Sequence, residues 1–547
     1  MYFNFSKNRV KIKLMIRQEI IKLVRKAVKE AGFRVPEIVE VERPEDENHG
    51  DYSINLALQL AKTFKMAPKQ IADTLRSHIL NLQPGIFEKV EVAEPGFINF
   101  FLSQDYLQKQ VEKITKEKDK FGQLKKQGKI NVESVSANPT GPLHIGNGRN
   151  AFAGDVISNV LQKAGYRVTR EYFVNDAKGS KQIQELGKAA VGEGTVYLNA
   201  YLRSRIQKSN LKIQNYKSKF KNKNLYGEAG YVLAQVVQKD TKDFLEKKLK
   251  IKFDKWVSEE KDIYQKSKVK KVFNWLKKNN LVYEKEGAWW LKTSQFGSER
   301  DWVIVRKSGE PTYFLSDIAY HRDKFNRGFQ KVIDIWGADH QAHVSKMKAA
   351  AKMLEYEGNL DILVLQLVTL KGKEKISKRK GDIITLEELV DEIGPDVARW
   401  FYLQKSLNTH MEIDLSLAKE QSEKNPVYYV QYAHARISSI FRKFRKTQQD
   451  KKYTPVDLLS HPSELVLIKQ LIRFPEIVED TAGDYQVQRL PQYALALATA
   501  FHQFYRDCRV LSDNEKLTRA RLSLVLAAQI VLKNTLSLMG ISVPEKM

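Results

Sequence analysis

Residues 130–173 hold the arrangement that most constrains the fold. Residues 130–135 (Ile-Asn-Val-Glu-Ser-Val) are a short run rich in β-branched side chains and read as a strand. A turn follows, Ser136-Ala-Asn138-Pro139-Thr-Gly141-Pro-Leu-His144-Ile-Gly146-Asn147. Residues 147–164 then place Phe152, Val156, Ile157, Val160 and Leu161 at helical spacing, and Gly165 supplies a stop signal. Residues 166–173 read as a second strand. Strand, helix and strand in this order form a βαβ unit. The chain is therefore expected to build a Rossmann-like parallel sheet with helices packed on it.

In such a sheet the turn after a strand lies at the carboxyl edge, where nucleotides bind. Pro139, Gly141 and Gly146 keep this backbone tight and leave room for a base or phosphate. His144 can donate a ring N–H to a phosphate oxygen, and the helix N-terminus adds a positive dipole end. Far downstream, residues 375–381 (Lys-Ile-Ser-Lys-Arg-Lys-Gly) form a basic loop. Charges at Lys375 and Lys378, with Ser377 between them, could neutralise a leaving pyrophosphate. Taken alone, the first segment is also a plain strand–helix turn, and the second a solvated loop.

The rest of the chain divides around this unit. A helix is expected over 16–30, with Gly32 as its stop, then a polar turn at 45–52 and a helix over 53–63. Residues 88–102 alternate as strands, broken by Pro95-Gly96, and a charged helix to about 126 leads onward. Residues 1–120 are thus read as a small α+β domain and 121–424 as the catalytic α/β domain. Lysine-rich residues 185–310 resemble an insertion within it. The α/β rhythm returns with a strand at 331–336, a helix from about 343 and a strand at 363–368. Residues 425–547 are almost wholly helical in pattern.

The chain of 547 residues carries a net charge of +27, which favours capture of a polyanion. A lysine-rich background composition is the plain alternative. Basic runs lie at 113–129, 208–223, 266–278 and 442–452. Tyr216, Phe220, Phe441 and Phe444 interleave two of them and could stack on unpaired bases. The longest apolar run, 522–532, is too short to span a bilayer, and the N-terminus lacks the pattern of a secretory signal. The start, Met1 or Met15, stays open. A single cysteine, Cys508, allows neither an internal disulfide nor a cysteine zinc cluster; it is expected in the core. A cytoplasmic location without membrane attachment is expected.

The paired segments resemble the HIGH and KMSKS signatures of class I aminoacyl-tRNA synthetases, with Asn147 in the fourth place of the first. Further phrases resemble the bacterial branch of the arginyl-tRNA synthetase family. They are Asn48-His-Gly-Asp-Tyr52, the Ser136–His144 turn, Tyr313-Phe-Leu-Ser-Asp317-Ile-Ala-Tyr320-His321, Trp336-Gly-Ala-Asp339-His340, Gln431-Tyr432-Ala-His434-Ala-Arg436, and the tail Gly540…Pro544-Glu-Lys-Met547. They fall in the family's order from residue 48 to the last residue.

This resemblance implies an arginine–tRNA ligase. Arginine attacks the α-phosphorus of ATP, giving arginyl-adenylate and pyrophosphate, and a terminal ribose hydroxyl of tRNA(Arg) then takes the arginyl group. His144, Asn147, Lys375, Ser377 and Lys378 would serve catalysis. Pro139, Gly141 and Gly146 would join His144, Asn147, Lys375 and Lys378 in binding ATP, accompanied by Mg2+. Tyr313 and Asp317 would face the arginine side chain, since a planar guanidinium is best held by forked acceptors. Their four-residue spacing gives them one helix face. Asp339 is a further candidate, and Glu133 and Asn138 would hold the amino-acid backbone. Asp317 and Asp339 each have a plain reading as surface ion pairs. Asn48 and Tyr52 at the tRNA elbow, and Gln431, Tyr432, Arg436 and Arg442 in an all-α anticodon bundle, would contact tRNA. No tightly bound cofactor or resident protein metal site is implied, and a monomer is expected. Two rival readings are compatible with the sequence: another class I synthetase or nucleotidyltransferase, and a non-catalytic tRNA-binding paralogue. Asn147 still offers an amide donor, so the altered signature is compatible with activity or with a slower activation step.

Overall fold

Three stretches of sequence chemistry build three adjoining units in this computed structural model. It describes residues 15–82, 85–219, 225–371, 384–447 and 456–547. The amphipathic repeat of the first unit forms α1 (Ile16–Glu30), which buries Ile20, Val24, Ala27 and Val28. Strand β1 (Tyr52–Ile54), helices α2 (Leu56–Phe64) and α3 (Pro68–Leu82), and strands β2 (Phe87–Ala93) and β3 (Phe97–Leu102) complete it. The strands pair antiparallel in the order β1-β3-β2. The helix expected from residue 53 begins three residues later. Ser53 and Ile54 are drawn into pairing with Asn99 and Ile98, so tertiary pairing overrides local helix propensity. Helix α4 (Gln104–Glu117), capped by Ser103, leads out of the unit.

The central sheet contains β4 (Lys129–Glu133), β5 (Arg167–Val174), β6 (Lys255–Ser258), β10 (Lys331–Gly337) and β11 (Asn359–Leu365), in the order β11-β10-β4-β5-β6. Every neighbouring pair is parallel. Helix α5 (Ile145–Ala164) crosses from β4 to β5 and ends at left-handed Gly165. The apolar stripe expected on it is buried, but so are Gly148, Arg149, Asn150, Asp155 and Ser158. It is therefore enclosed on nearly all sides, by the sheet, the C-terminal helices and α13 described below.

The block at 185–310 is not a single insertion. Helices α6 (Lys181–Val191), α7 (Ala200–Lys219) and α8 (Leu225–Asp243) pack on one another around Ile183, Leu186, Leu202, Leu233 and Val237. The chain then returns to the central sheet as β6, pairing Glu171 with Lys255 and Val174 with Ser258. Four residues are too short a run for strand alternation to stand out from lysine-rich surroundings. Helix α9 (Lys268–Lys278) and an antiparallel sheet of β7 (Val282–Lys285), β8 (Ala288–Leu291) and β9 (Trp302–Val305) follow. Helices α10 (Tyr313–Phe325) and α11 (Val344–Met353) flank β10.

The strand expected at 363–368 divides. Its first part belongs to β11, and β12 (Val368–Leu370) pairs with β13 (Met411–Ile413). Helices α12 (Leu386–Ile393), α13 (Pro395–Leu403) and α14 (Leu415–Lys419) lead to a bundle of α15 (Pro426–Thr447), α16 (Pro462–Leu471), α17 (Phe474–Asp484), α18 (Arg489–Asp507) and α19 (Glu515–Met539). Helix α19 is long and apolar enough to cross a membrane, yet 78% of its most apolar window is buried inside the fold. It packs on α4, α5, α15, α16 and α18. Cys508 is buried at the end of α18, and burial pushes its thiol up to about 11, as expected for a core residue rather than a nucleophile.

Candidate active site

The turn between β4 and α5 is held by side chains from three directions. Val135 and Ser136 both adopt positive φ, 68° and 41°, a costly backbone for a β-branched residue. Compensating bonds surround them. Val135 N–H donates to Asn150 Oδ1 at 2.8 Å, while Asn150 Nδ2 donates to the Ile335 carbonyl at 2.7 Å. Ala137 N–H reaches the Tyr172 hydroxyl, and Asn175 Nδ2 donates to the Ser136 carbonyl. Helix α5 lies so close to β4 that a Cβ at Gly154 would meet Ser134 at 2.4 Å.

His144 is the N-cap of α5. Gly146 N–H donates to His144 Nδ1 at 3.1 Å, and His144 N–H donates to Asn147 Oδ1 at 3.0 Å. This reciprocal cap consumes the acceptors. It leaves the neutral His144 proton on Nε2, available to an incoming oxygen, and leaves the Asn147 amide hydrogens as donors. Burial lowers the His144 pKa against an opposing pull from Asp339, so the ring is a neutral donor at physiological pH. A Cβ at Gly146 would strike the His144 ring at 2.8 Å. Pro139 is buried beside the turn, and Asn138 and His144 are exposed. No atom lies within 4 Å of where a Gly141 Cβ would stand, so Gly141 fronts open space.

Lys375, Ser377 and Lys378 lie outside the described residues. The described chain before them is tied to β13, and the chain after them is anchored beside the first signature. Lys371 N–H donates to the Ile413 carbonyl. Ile145 N–H donates to the Ile384 carbonyl, Leu386 N–H donates to the Leu143 carbonyl, and His144 bridges Thr385. Tyr402 donates to the Ile145 carbonyl at 2.6 Å. Ile384, Thr385 and Leu386, the first described residues after that segment, thus lie against the first signature.

On the other side of the carboxyl edge, α10 carries Tyr313 at its start and Asp317 one turn later. Tyr313 is half exposed, at 49%. The Asp317 carboxylate has no hydrogen bond or ion pair among the described residues, and burial pushes its pKa up to about 6, against the nearby cationic groups His321 and Lys346. Glu259, which directly follows β6, is buried, accepts from Ser316 Oγ at 2.7 Å, and is pushed by burial up to about 7. Asp176 lies close by, fully buried, and accepts from Ser258 Oγ, Glu260 N–H and Gln235 Nε2. Asp317 and Glu259 are thus raised carboxylates that make no ion pair among the described residues, the arrangement common at functional sites. Glu259 escaped sequence reading because β6 was read as part of an insertion; a carboxylate directly after a core strand would have pointed to it.

Asp339 is 80% exposed in a 3-10 turn (Ala338–His343) after β10, with His340 Nε2 3.5 Å away. Glu133, at the end of β4, is nearly enclosed. Its carboxylate accepts from Ser136 Oγ at 2.9 Å, from the Tyr320 hydroxyl at 2.9 Å and from Lys324. Its oxygens are already engaged inside the protein, unlike those of Asp317.

Several residues expected to meet tRNA have other work. Tyr52 is fully buried, and its hydroxyl donates to Glu476 Oε1 at 2.7 Å and contacts Arg43. It therefore locks the N-terminal unit to α17, and the expectation of an RNA contact is corrected: the resembling phrase encodes a domain seam. Asn48 is exposed. Gln431 donates to Asp396 and to the Ser542 carbonyl, His434 approaches the Pro544 carbonyl, and Arg442 donates to the Glu545 carbonyl. These residues of α15 grip the C-terminal tail, so two separate sequence phrases form one structural feature. Phe441 and Phe444 pack against the core rather than standing out as stacking surfaces. Tyr216 and Phe220 fall where no side chain is described. Tyr432 remains 37% exposed, 6.1 Å from the His502 ring, and the Arg436 guanidinium lies over Tyr432 and Tyr505 at 4.6 and 5.0 Å.

Three family models match the chain: the arginyl tRNA synthetase N terminal domain at 18–102, the class I (R) tRNA synthetase catalytic domain at 198–418, and the DALR anticodon binding domain at 430–547. Among curated relatives, the arginine–tRNA ligase of Carboxydothermus hydrogenoformans is 40% identical, covering 97% of this chain and 98% of its own length. That of Dehalococcoides mccartyi strain CBDB1 is 42% identical, covering 98% and 99%. The Thermus thermophilus arginyl-tRNA synthetase structure shares the fold at a TM-score of 0.77 and 23% identity, covering 97% of this chain and all of that one. The Plasmodium falciparum arginyl-tRNA synthetase structure does so at 0.78 and 19%, covering 97% and 99%. With three matching family models and full-length likeness to these ligases, the chain belongs to the arginyl-tRNA synthetase family, the class I enzymes that use ATP to join arginine to its tRNA.

Proposed function

We propose that the acidic cleft formed by Asp317 and Glu259, with Tyr313 at its rim, selects the arginine side chain, and that the capped turn at His144 holds ATP. The observation that carries this reading is the pair of raised carboxylates, neither of which makes an ion pair among the described residues. A bound guanidinium would restore both to their charged forms and accept forked geometry that an ammonium cannot match. Asp339 stands on the ATP side, where its charge is felt by His144. Asn138 is the exposed amide at the turn that can reach the amino-acid backbone. Glu133 acts at one remove, by holding Ser136 and Lys324.

In this reading His144 Nε2–H and the Asn147 amide donate to phosphate oxygens as the arginine carboxylate attacks the α-phosphorus. Lys375, Ser377 and Lys378 stabilise the pyrophosphate that departs. Magnesium enters with ATP, held by phosphate oxygens and water, as suits an ion that dehydrates reluctantly. The second step transfers the arginyl group to the tRNA's terminal ribose. Catalysis is positioning and charge stabilisation, without an obligatory protein nucleophile. Residues 1–120 and 425–547 would hold the tRNA on either side of the catalytic unit, 121–424. Tyr432 and Arg436 offer a flat surface for an unpaired base, and Asn48 an exposed polar contact. The enzyme would act as a monomer in the cytoplasm.

The test is aminoacylation of total tRNA with each of twenty amino acids. Arginine should be charged and lysine should not, because a site built for several hydrogen bonds rejects an analogue lacking them by about 10⁴. Comparable charging of lysine would remove the guanidinium cleft as the selector.

A further inference from the structure

Three carboxylates lie side by side across the middle of the catalytic sheet. Parallel register pairs Asp334 with Glu133, and Glu133 with Glu171. Register partners on parallel strands point to the same face, and adjacent strands are only about 4.8 Å apart. Asp334 and Glu171 are fully buried and Glu133 nearly so. Such a row is untenable in a dry interior unless cations meet it.

The cations bonded to the row come from α10 and from Arg327, two residues beyond its end. Lys324, itself fully buried, bonds Asp334 at 2.6 Å and also Glu133. Arg327 forks onto Glu171, with one arm at 2.8 Å. His321 Nε2 lies 2.7 Å from Asp334 Oδ2, and its Nδ1 lies 2.8 Å from the Asp317 carbonyl. Both ring nitrogens face oxygens that can only accept, so the ring carries two protons. Three cations thus answer three anions, and the Tyr320 hydroxyl lies between Glu133 and Glu171 at 2.9 and 2.7 Å. Residues 313, 317, 321 and 324 share one helix face. Tyr313 and Asp317 are therefore the free upper end of the same stripe whose lower end is pinned to the sheet.

We propose that this charge row sets the axial position of α10 and so aims Tyr313 and Asp317 at the substrate, making Asp334, His321 and Lys324 positioning residues for arginine selection. Apolar contacts of α10 through Leu315, Ile318 and Ala319 are non-directional and tolerate small slides. Buried, paired charges do not, because each slide leaves a desolvated ion unmatched. The proposal rests on the reading that Tyr313 and Asp317 hold the arginine side chain.

The test compares Asp334→Asn, which keeps shape but removes the charge, with Arg399→Met, which breaks a buried pair with Asp155 elsewhere in the molecule. Both should lower Tm. Only Asp334→Asn should raise the arginine KM, by roughly 10- to 100-fold, while the ATP KM stays within about twofold, since a misplacement of about 1 Å in a binding group can cost on the order of 100-fold. Arg327→Gln, at the partly exposed end of the row, should shift the arginine KM in the same direction by a few fold and serves if Asp334→Asn does not fold. A folded Asp334→Asn or Arg327→Gln enzyme with arginine and ATP constants moving together, or with Tm alone changed, overturns the proposal. Asp317→Asn is run alongside. An unchanged arginine KM there overturns the reading of the cleft itself, whereas a raised one with an inert Asp334→Asn overturns only the positioning role.

Discussion

The two walls of the proposed active cleft, one for ATP and one for arginine, are built by opposite means. The ATP wall is made almost entirely of backbone: a strained turn, two close glycines, and a histidine cap whose partners lie within three residues. The proposed arginine wall is made of side chains from α10 and from the residues that follow β5 and β6, which lie far apart in sequence, and its carboxylates are raised by burial. The difference follows from the ligands. A triphosphate is satisfied by helix dipoles and N–H groups, which any local sequence with small residues can provide. A guanidinium needs carboxylates, and holding several of them in one dry place requires long-range packing to offset their repulsion.

The sharpest way to break this contrast is Asp317→Asn. Removing a buried partner of a charge costs about 3–5 kcal/mol, so the arginine KM should rise by roughly 10²- to 10⁴-fold with the ATP KM little changed. Steady-state kinetics with tRNA present would read this. A parallel rise in both constants would mean that the two walls are not separable. Lys378→Ala tests the proposed ATP chemistry instead: the rate of adenylate formation should fall by about 10²-fold or more while arginine binding stays nearly intact.

Acidity probes the same division. Asp317 and Glu259 are pushed up to about 6 and about 7, so both lose negative charge as pH falls through that window. Arginine affinity should weaken between pH 8 and pH 5, and ATP affinity should change less. The free enzyme has the reverse sign in stability. Groups whose folded pKa is raised bind more protons when folded, so they favour the fold at low pH and cost stability as pH rises from about 4 to about 7. Arginine should therefore raise Tm more at pH 8 than at pH 5. An arginine-induced Tm shift that is flat with pH would discount these carboxylates as its ligands.

Two smaller effects bear on the other expectations. Tyr52→Phe leaves the buried Glu476 oxygen short of a donor, so Tm should fall in line with about 1–3 kcal/mol while arginine and ATP constants hold. An unchanged Tm would mean that the seam between the N-terminal unit and α17 is held elsewhere. Asn147→His should change the activation rate by less than about tenfold, because either side chain can complete the cap and donate to a phosphate. A gain of several hundredfold would mark the native turn as impaired.

What could be read from the chain alone was set by short-range chemistry. Helix α1 begins and ends where its apolar period and Gly32 place it, β2 and β3 break at Pro95-Gly96, and the 130–173 unit folds as a parallel crossover. In each case the deciding residues lie within a few positions of one another, so propensity and period suffice. Tertiary structure decided the rest. It turned Ser53 and Ile54 into strand, brought β6 out of a lysine-rich block into the central sheet, and buried Tyr52 against Glu476. It also committed Glu133 to Lys324 and left Asp317 without an ion pair among the described residues, although each reads in sequence as a lone acid. A carboxylate's role depends on which cation the fold brings within a few ångströms, and that distance is a property of packing between segments, which no local pattern records.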